Sequence, residues 1–210
     1  MKGLKQKISK DTYLQKRSAE HGIYAKGFTS IWITGNNTVA LPEEDGLLGH
    51  VLNAYNLNRA YLKVCRNGGS HGVDGVPVEL LMDYLKQHGS ELINQIKQGK
   101  YRPNPVRRVE IPKEDKSKRP LGIPTVVDRV IQQAIHQVLS PIYERQFSNN
   151  SFGFRPKRST HKALFKCKQF VAEGYRYAVD LDMAKFFDTV NHSKLIEILS
   201  RTVKMVELSH

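Results

Sequence analysis

A short segment near the C-terminal end, Tyr177 to Met183, most constrains the fold. Its apolar residues alternate with Ala178, Asp180 and Asp182, a period of two that is typical of a strand with one apolar face. A carboxylate at the end of a buried strand is costly to desolvate unless a positive group meets it. Carboxylate oxygens suit hard divalent cations such as Mg²⁺. The segment therefore predicts a strand that ends in a metal-binding aspartate.

The charge of the chain indicates the class of its partner. The 210 residues carry a formal net charge of +13, and 40% of them are hydrophobic. Such a chain can bury a core, and its basic surface favours a polyanion, with nucleic acid first and an anionic membrane surface second. No run approaches the ~18 apolar residues of a membrane span, and the N-terminus has no secretory pattern. Two cysteines, Cys65 and Cys167, fit free thiols in a reducing compartment. We therefore expect a cytoplasmic protein with no membrane contact.

Hydrophobic periodicity predicts an α+β fold in which helices pack on a small antiparallel sheet. Residues 1–40 are weakly patterned and are interpreted as an extension. Helices are predicted around residues 57–65, after Pro77, from Ser90 to Gly99, and after Thr125, where Thr125 and Asp128 resemble a capping box. Residues 106–111 and 121–124 are predicted to form a β-hairpin with a basic tip.

A glycine-containing loop follows the longest predicted helix. Its sequence, Ser148-Asn-Asn-Ser-Phe-Gly-Phe-Arg-Pro-Lys-Arg-Ser159, mixes two aromatic rings with three cations, and residues 155–172 contain six Lys/Arg and no acid. Base stacking combined with positive charge is the way single-stranded nucleic acid is held. An exposed basic helix face is the plainer alternative.

Five segments in order resemble the reverse transcriptases encoded by group II introns, also called intron maturases. Two of them are the most specific, Lys118-Arg-Pro-Leu-Gly-Ile-Pro-Thr125 and Ser151-Phe-Gly-Phe-Arg-Pro-Lys-Arg-Ser159. The others are Asn67-Gly-Gly-Ser-His-Gly-Val-Asp-Gly75, Tyr101-Arg-Pro103 with Val106-Arg-Arg-Val-Glu-Ile-Pro-Lys113, and Asp182-Met-Ala-Lys-Phe-Phe-Asp188 followed by Asn191-His192. The resemblance runs from about Leu47 to about Ser200.

The resemblance implies a right-hand polymerase, with fingers over residues 41–174 and the start of a palm over 175–210. It implies that Asp182 is a ligand for both catalytic Mg²⁺ ions, with Mn²⁺ as an alternative, and that the Met183 carbonyl also faces the nucleotide metal. Its implied partners are a template or intron RNA, a DNA primer and a deoxynucleoside triphosphate.

The resemblance also assigns roles to aromatic and cationic residues. Phe187 matches the family's steric gate against a ribose, and Phe186 would offer its backbone to the sugar. Lys113 and Arg119 match the cations that grip the triphosphate. Arg155 would lie near the template or the incoming base, and the remaining nucleic-acid contacts are expected from Arg107, Arg108, Lys157 and Arg158.

Plainer structural roles remain open for the same residues. Asp182 could cap the next helix, the phenylalanine pair could be core, and the hairpin cations could be solvated charge.

The chain departs from the family pattern after the first acidic motif. The aromatic-Ala-Asp-Asp hairpin is absent, and the acids after Asp188 are Glu197 and Glu207. One aspartate cannot hold two metal ions that each want six ligands. The sequence therefore predicts a truncated RNA-directed DNA polymerase, and the alternative is a catalytically inactive chain that binds template or intron RNA. A third hypothesis is a generic basic α+β protein. The oligomeric state is left open.

Overall fold

The computed structural model describes residues 46–112 and 118–207. Within these ranges the chain forms seven α-helices and one two-stranded antiparallel sheet. The elements are α1 (Gly46–Leu52), α2 (Ala54–Asn67), a 3₁₀ turn (Val78–Leu80), α3 (Leu81–Lys97), β1 (Arg107–Pro112), β2 (Lys118–Ile123), α4 (Val126–Glu144), α5 (Thr160–Ala172), α6 (Phe186–Thr189) and α7 (His192–Glu207). The expected 1–40 extension and the hairpin tip lie outside the described residues.

Helix α2 forms where the periodicity predicts it. The Asn53 side chain accepts a hydrogen bond from the Tyr55 amide at 2.9 Å and so caps the first turn. Leu57 and Val64, two turns apart, are buried on one face. The helix ends at Gly68, whose φ of 61° suits a residue without a Cβ and whose amide donates to the Val64 carbonyl at 3.0 Å.

Helix α3 is one continuous element, so the prediction of a separate helix from Ser90 is wrong. Gly89 and Ser90 lie inside α3, and a glycine there costs roughly 1 kcal/mol relative to alanine. Leu85 and Leu92, seven residues apart and therefore on the same helix face, are both buried. Burial of this face outweighs the local preference for a break.

The hairpin is confirmed, with β1 antiparallel to β2 and Arg108 opposite Gly122. Lys118 forms an ion pair with Glu110 at 2.7 Å, but both side chains are largely exposed, so the pair adds little stability. The two strands bury few side chains of their own.

The contacts divide the chain into two compact units. The described part of the first comprises residues 53–112 and 118–131, and that of the second comprises residues 46–52 and 132–207. In the first unit, buried side chains from α2, the 3₁₀ turn, α3 and α4 form the core, namely Leu57, Ala60, Tyr61, Val64, Val78, Leu81, Leu85, Leu92, Val126, Val127, Val130 and Ile131. In the second, α1 contacts α7, and the Tyr143 hydroxyl donates to the Leu199 carbonyl at 2.9 Å. The predicted boundary at residues 174–175 stays a prediction.

The predicted strand over 177–183 is not formed. The segment has no regular secondary structure, and its apolar side chains Tyr177, Val179 and Leu181 are 97%, 83% and 87% exposed. A strand needs a neighbouring strand to satisfy its backbone groups, and within the described ranges β1 and β2 pair only with each other. Alternation therefore identifies a segment suited to a sheet, but it does not supply the partner.

At the coarse level the α+β prediction is confirmed, because helices accompany a small antiparallel sheet. The finer division into fingers and palm stays a prediction. Within the two described ranges, the structure has no helix whose length and hydrophobicity would suit a bilayer span.

Candidate nucleic-acid interface and metal ligands

The glycine-rich turn after α2 is held by two arginines, one at the start of α4 and one in β1. Arg129 donates from one guanidinium nitrogen to the Gly68 carbonyl at 3.0 Å and from the other to the Ser70 carbonyl at 2.7 Å. Arg107 donates from Nε to the His71 carbonyl at 3.0 Å. These bonds fix the backbone of the turn from two sides.

Gly72 is the point of closest approach within this turn. A Cβ placed on Gly72 would lie 2.6 Å from the Thr125 Cα and 2.7 Å from its amide nitrogen. Both are backbone atoms, which cannot rotate away. Only glycine fits at this position.

Asp128 gathers three hydrogen bonds in the first unit. It is buried, and its carboxylate accepts from the Tyr101 hydroxyl, from the Asn104 amide at 3.2 Å and from the Thr125 hydroxyl at 2.6 Å. The Asp128 amide also donates to the Thr125 hydroxyl at 3.1 Å, as a capping interaction requires. Burial, and then the bond to Asp128, raise the pKa of Tyr101. The carboxylate therefore fastens the segment before the hairpin to the helix after it.

The hairpin divides its predicted binding cations between two faces. Alternation along a strand puts Arg107 and Arg108 on opposite faces. The pairing of Arg119 with Ile111 puts Arg119 on the Arg107 face. Arg108 and Arg119 are exposed, whereas Arg107 is half-buried. Lys113 lies outside the described residues.

Arg155 is locked into the loop that carries it. Its Nη2 pairs with the Glu144 carboxylate at 2.8 Å and also donates to the Glu144 carbonyl. Its Nε donates to the same carboxylate, and its Nη1 donates to the Ser148 and Ser151 carbonyls. An arginine has five N–H donors, and this set engages all of them. The side chain is 6% exposed and lies over the Phe147 ring at 5.3 Å.

The other loop cations are held in different ways. Arg158 donates to the Asn149 carbonyl at 2.9 Å, and its guanidinium lies 5.3 Å from the Phe152 ring centroid. Lys157 is exposed and has a left-handed φ of 60°. Its carbonyl accepts from the Lys162 ammonium at 2.7 Å.

The predicted metal ligands and the two predicted sugar-contacting phenylalanines lie on an exposed stretch of the second unit. Asp182 and Met183 precede Lys185, whose left-handed φ of 52° turns the chain into α6. The Phe186 and Phe187 rings meet edge to face, with centroids 5.5 Å apart. Phe187 is 89% exposed, so the pair is not a buried core.

The donor set around Asp182 does not by itself fit a pair of Mg²⁺ ions. No group of three His, Cys, Asp or Glu side chains able to hold a metal occurs in residues 46–112 and 118–207. One carboxylate and one carbonyl leave most of the six positions of each Mg²⁺ unfilled. Any metal role of Asp182 requires further carboxylates.

The hairpin residues belong to the first unit, whereas the loop residues and the acidic residues belong to the second. Inspection of the sequence missed Glu144 as the partner of Arg155 and Tyr101 as the partner of Asp128. The signal for the first was available, since Glu144 is the acid that most closely precedes the basic loop. Tyr101 and Asp128 are 27 residues apart, and no local pattern links them.

Comparison with known proteins places the sequence of this chain in a family. Residues 111–206 match the reverse transcriptase (RNA-dependent DNA polymerase) family. Protein YkfC of Escherichia coli is 38% identical over 141 residues, which cover 64% of this chain and 37% of the relative. Group II intron-encoded protein LtrA of Lactococcus lactis is 36% identical over 151 residues, covering 71% and 25%. Nuclear intron maturase 2 of Arabidopsis thaliana, a mitochondrial protein, is 36% identical over 77 residues, covering 37% and 10%.

These matches show that the chain contains part of a reverse transcriptase domain. Among reverse transcriptases, the chain belongs to the family of group II intron-encoded proteins and intron maturases. It spans about a quarter to two fifths of the length of the first two of these relatives.

Proposed function

We propose that this chain holds single-stranded RNA on the basic surface of its second unit, as part of an RNA-directed DNA polymerase of the group II intron kind. The basic surface is defined here as the loop 148–159 and helix α5. The observation that carries the proposal is the charge of residues 157–172, which contain five Lys/Arg and no acid. None of these residues is buried, and Lys157 and Lys168 are exposed. Counterion release by such cations provides most of the affinity for a phosphate backbone.

The polymerase part of the proposal assigns the remaining predicted residues. Asp182 and the Met183 carbonyl contribute to Mg²⁺ binding, Lys113 and Arg119 bind the triphosphate of a deoxynucleotide, and Phe187 acts as the gate beside Phe186. All six positions lie inside the range that matches the reverse transcriptase family. Arg107 and Arg108 are proposed as further nucleic-acid contacts.

The binding-only alternative is favoured for the chain by itself. The described residues offer no cluster of metal ligands, whereas the basic surface requires no metal to hold RNA. We therefore expect the isolated chain to bind RNA without extending a primer.

Primer extension and RNA binding test the two functions separately. The chain is assayed with an RNA template, a DNA primer, deoxynucleotides and Mg²⁺, beside Asp182→Asn and the matched control Asp180→Asn. We expect no extension from any of the three. Extension that is lost in Asp182→Asn alone would instead assign polymerase activity to the chain.

The salt dependence of RNA binding tests the basic surface. Each phosphate contact contributes about 0.7 to the slope of log K against log salt for a single strand. We expect the double variant Lys157→Ala/Lys168→Ala to lower the slope by about 1.4 on this estimate. Lys194→Ala, an exposed lysine on α7 paired with Glu197, should leave the slope unchanged. Equal slopes for all three proteins would reject the proposed surface.

A further inference from the structure

Phe154 combines an unfavourable backbone conformation with a side chain that contributes nothing to the buried core. Its φ of 56° lies in the left-handed region, which is unfavourable for a bulky side chain. Its ring is fully exposed to solvent, so it gains nothing from burial in the core. A residue whose backbone is strained and whose side chain gains no burial is a candidate for function.

The neighbours of Phe154 hold it in this conformation. The next residue, Arg155, is fixed by its bonds to Glu144 and to two loop carbonyls. Pro156 then restricts its own φ. The loop therefore holds the backbone of Phe154 in this conformation.

Phe154 also differs from the two other rings of this region. The Phe147 ring is covered by the guanidinium of Arg155 at 5.3 Å, and the Phe152 ring by that of Arg158 at the same distance. No such cation lies over Phe154 in the part of the chain that the structure describes. A Cβ on the adjacent Gly153 would also meet nothing within 4 Å, so the chain beside Phe154 is open to solvent at this point.

The charge around this ring suits an anionic strand. The exposed Lys157 follows three residues later, and residues 155–172 contain no acid. A free aromatic face beside uncompensated cations is the arrangement that holds an unpaired base together with its phosphate.

We propose that Phe154 is a base-stacking residue, whose ring binds one unpaired base of single-stranded RNA while nearby cations hold the phosphates. The proposal rests on the proposed RNA-binding function and assigns a ligand subsite within it. A stacked base is worth roughly 5- to 150-fold in affinity. Because no charge is involved, the salt slope is independent of Phe154.

The test measures binding of a short unstructured RNA by the whole chain and by Phe154→Ala, Phe154→Trp and Phe154→Gly. We expect Phe154→Ala and Phe154→Gly to bind roughly 5- to 150-fold more weakly at an unchanged salt slope. Phe154→Trp should bind at least as tightly as the parent. Tyr55→Ala, which removes an exposed ring from α2, is the matched control and should bind like the parent.

A series of RNAs with one abasic position each identifies the stacked base. For the parent, an abasic substitution at one position of the RNA should weaken binding more than at the others. For Phe154→Ala, the same substitution should cause no further loss of affinity. Glycine accepts the left-handed φ, so Phe154→Gly should unfold at the same temperature as the parent or a higher one. This variant keeps the test valid if Phe154→Ala fails to fold.

The outcomes separate the inference from the function on which it rests. Salt-dependent RNA binding by the parent with unchanged affinity in Phe154→Gly would overturn the stacking role and leave the proposed function intact. Absence of RNA binding by the parent would overturn both. A lower salt slope in Phe154→Gly would also overturn the inference, because it would show that the change disturbs phosphate contacts.

Discussion

Arg155 shows how a cation in a nucleic-acid-binding segment can serve the loop that contains it. All five of its donors are engaged by Glu144, Ser148 and Ser151. A guanidinium in this state has no N–H left for a phosphate. The prediction that Arg155 lies near the template stays a prediction, but its geometry indicates that it would act there by fixing the loop backbone.

Replacing Arg155 should therefore destabilise the second unit. Arg155→Lys keeps the charge but loses the two-pronged pairing with Glu144 and one of the carbonyl bonds. Because Glu144 is 30% exposed, the pair is not fully buried. We therefore expect the free energy of unfolding to fall by about 2 kcal/mol, which is less than for a fully buried pair. Urea denaturation measures this loss.

The control for this prediction is Glu197→Gln. Glu197 pairs with Lys194 and Arg201 on the exposed face of α7, and these two partners lower the pKa of Glu197. We expect no measurable change in unfolding free energy, since exposed pairs contribute little. Equal stability of Arg155→Lys and the parent would mean that the loop is held by other interactions.

At the scale of elements, the docking of the glycine-rich turn on the start of α4 organises the first unit. Arg129 and Arg107 hold carbonyls of the turn, while Gly72 lets the two backbones approach. This contact joins segments more than 50 residues apart in the chain. It is therefore sensitive to a single methyl group.

Gly72→Ala should destabilise the first unit by about 2 kcal/mol, in the range for overpacking against atoms that cannot move aside. Gly153→Ala is the matched control, because its new Cβ would meet nothing within 4 Å and no left-handed φ is involved. Thermal unfolding of both variants measures the difference. A neutral Gly72→Ala would show that the turn can move away from Thr125 at little cost.

Helices and strands could be predicted from the sequence where the residues that determine them lie close together in the chain. The cap at Thr125, the periodicity of α4 and the hairpin all depend on residues in one short stretch of sequence. The break expected at Ser90 failed because burial of Leu85 and Leu92 outweighs the preference of a glycine–serine pair. The hydrogen bonds of Asp128 could be predicted only as far as Thr125, since Tyr101 and Asn104 reach it from outside the helix.

For the whole molecule, the two units differ sharply in how much they bury. The first unit has a core drawn from three helices, whereas no residue from 135 to 203 is fully buried. The candidate metal ligands Asp182 and Met183 and the Phe186–Phe187 pair therefore lie where the structure buries few apolar side chains. Such regions open locally at low free energy.

Hydrogen exchange should report this difference directly. Amides of residues 177–183 have no strand partner in the described structure and should exchange within seconds to minutes, as in an unprotected chain. Amides in the middle of α2 and at Val130 in α4 should be protected by several orders of magnitude, since they open only with the core. Slow exchange across 177–183 would contradict the unpaired state and show that the segment is in a sheet.

The site could be predicted in its residues but not in its geometry. Alternation around Asp182 indicates a strand, and the motifs indicate the family. However, a strand is completed by residues distant in the sequence, and none within the described ranges lies beside it. Phe154 was named only as one of two rings in the loop, because a left-handed backbone on a phenylalanine leaves no trace in composition or spacing.

In the described ranges, three residues other than glycine have a left-handed backbone, namely Phe154, Lys157 and Lys185. They have a consequence for any attempt to evolve a more stable version of this protein. Each would relax if replaced by glycine, at a gain of the order of 1 kcal/mol. A selection for heat resistance alone would therefore enrich glycine at these positions. It would at the same time remove an exposed ring and two cations from the segments that carry the proposed chemistry. The selection must therefore include a nucleic-acid-binding assay from the first round, because otherwise thermal stability will be gained by removing residues of the proposed site.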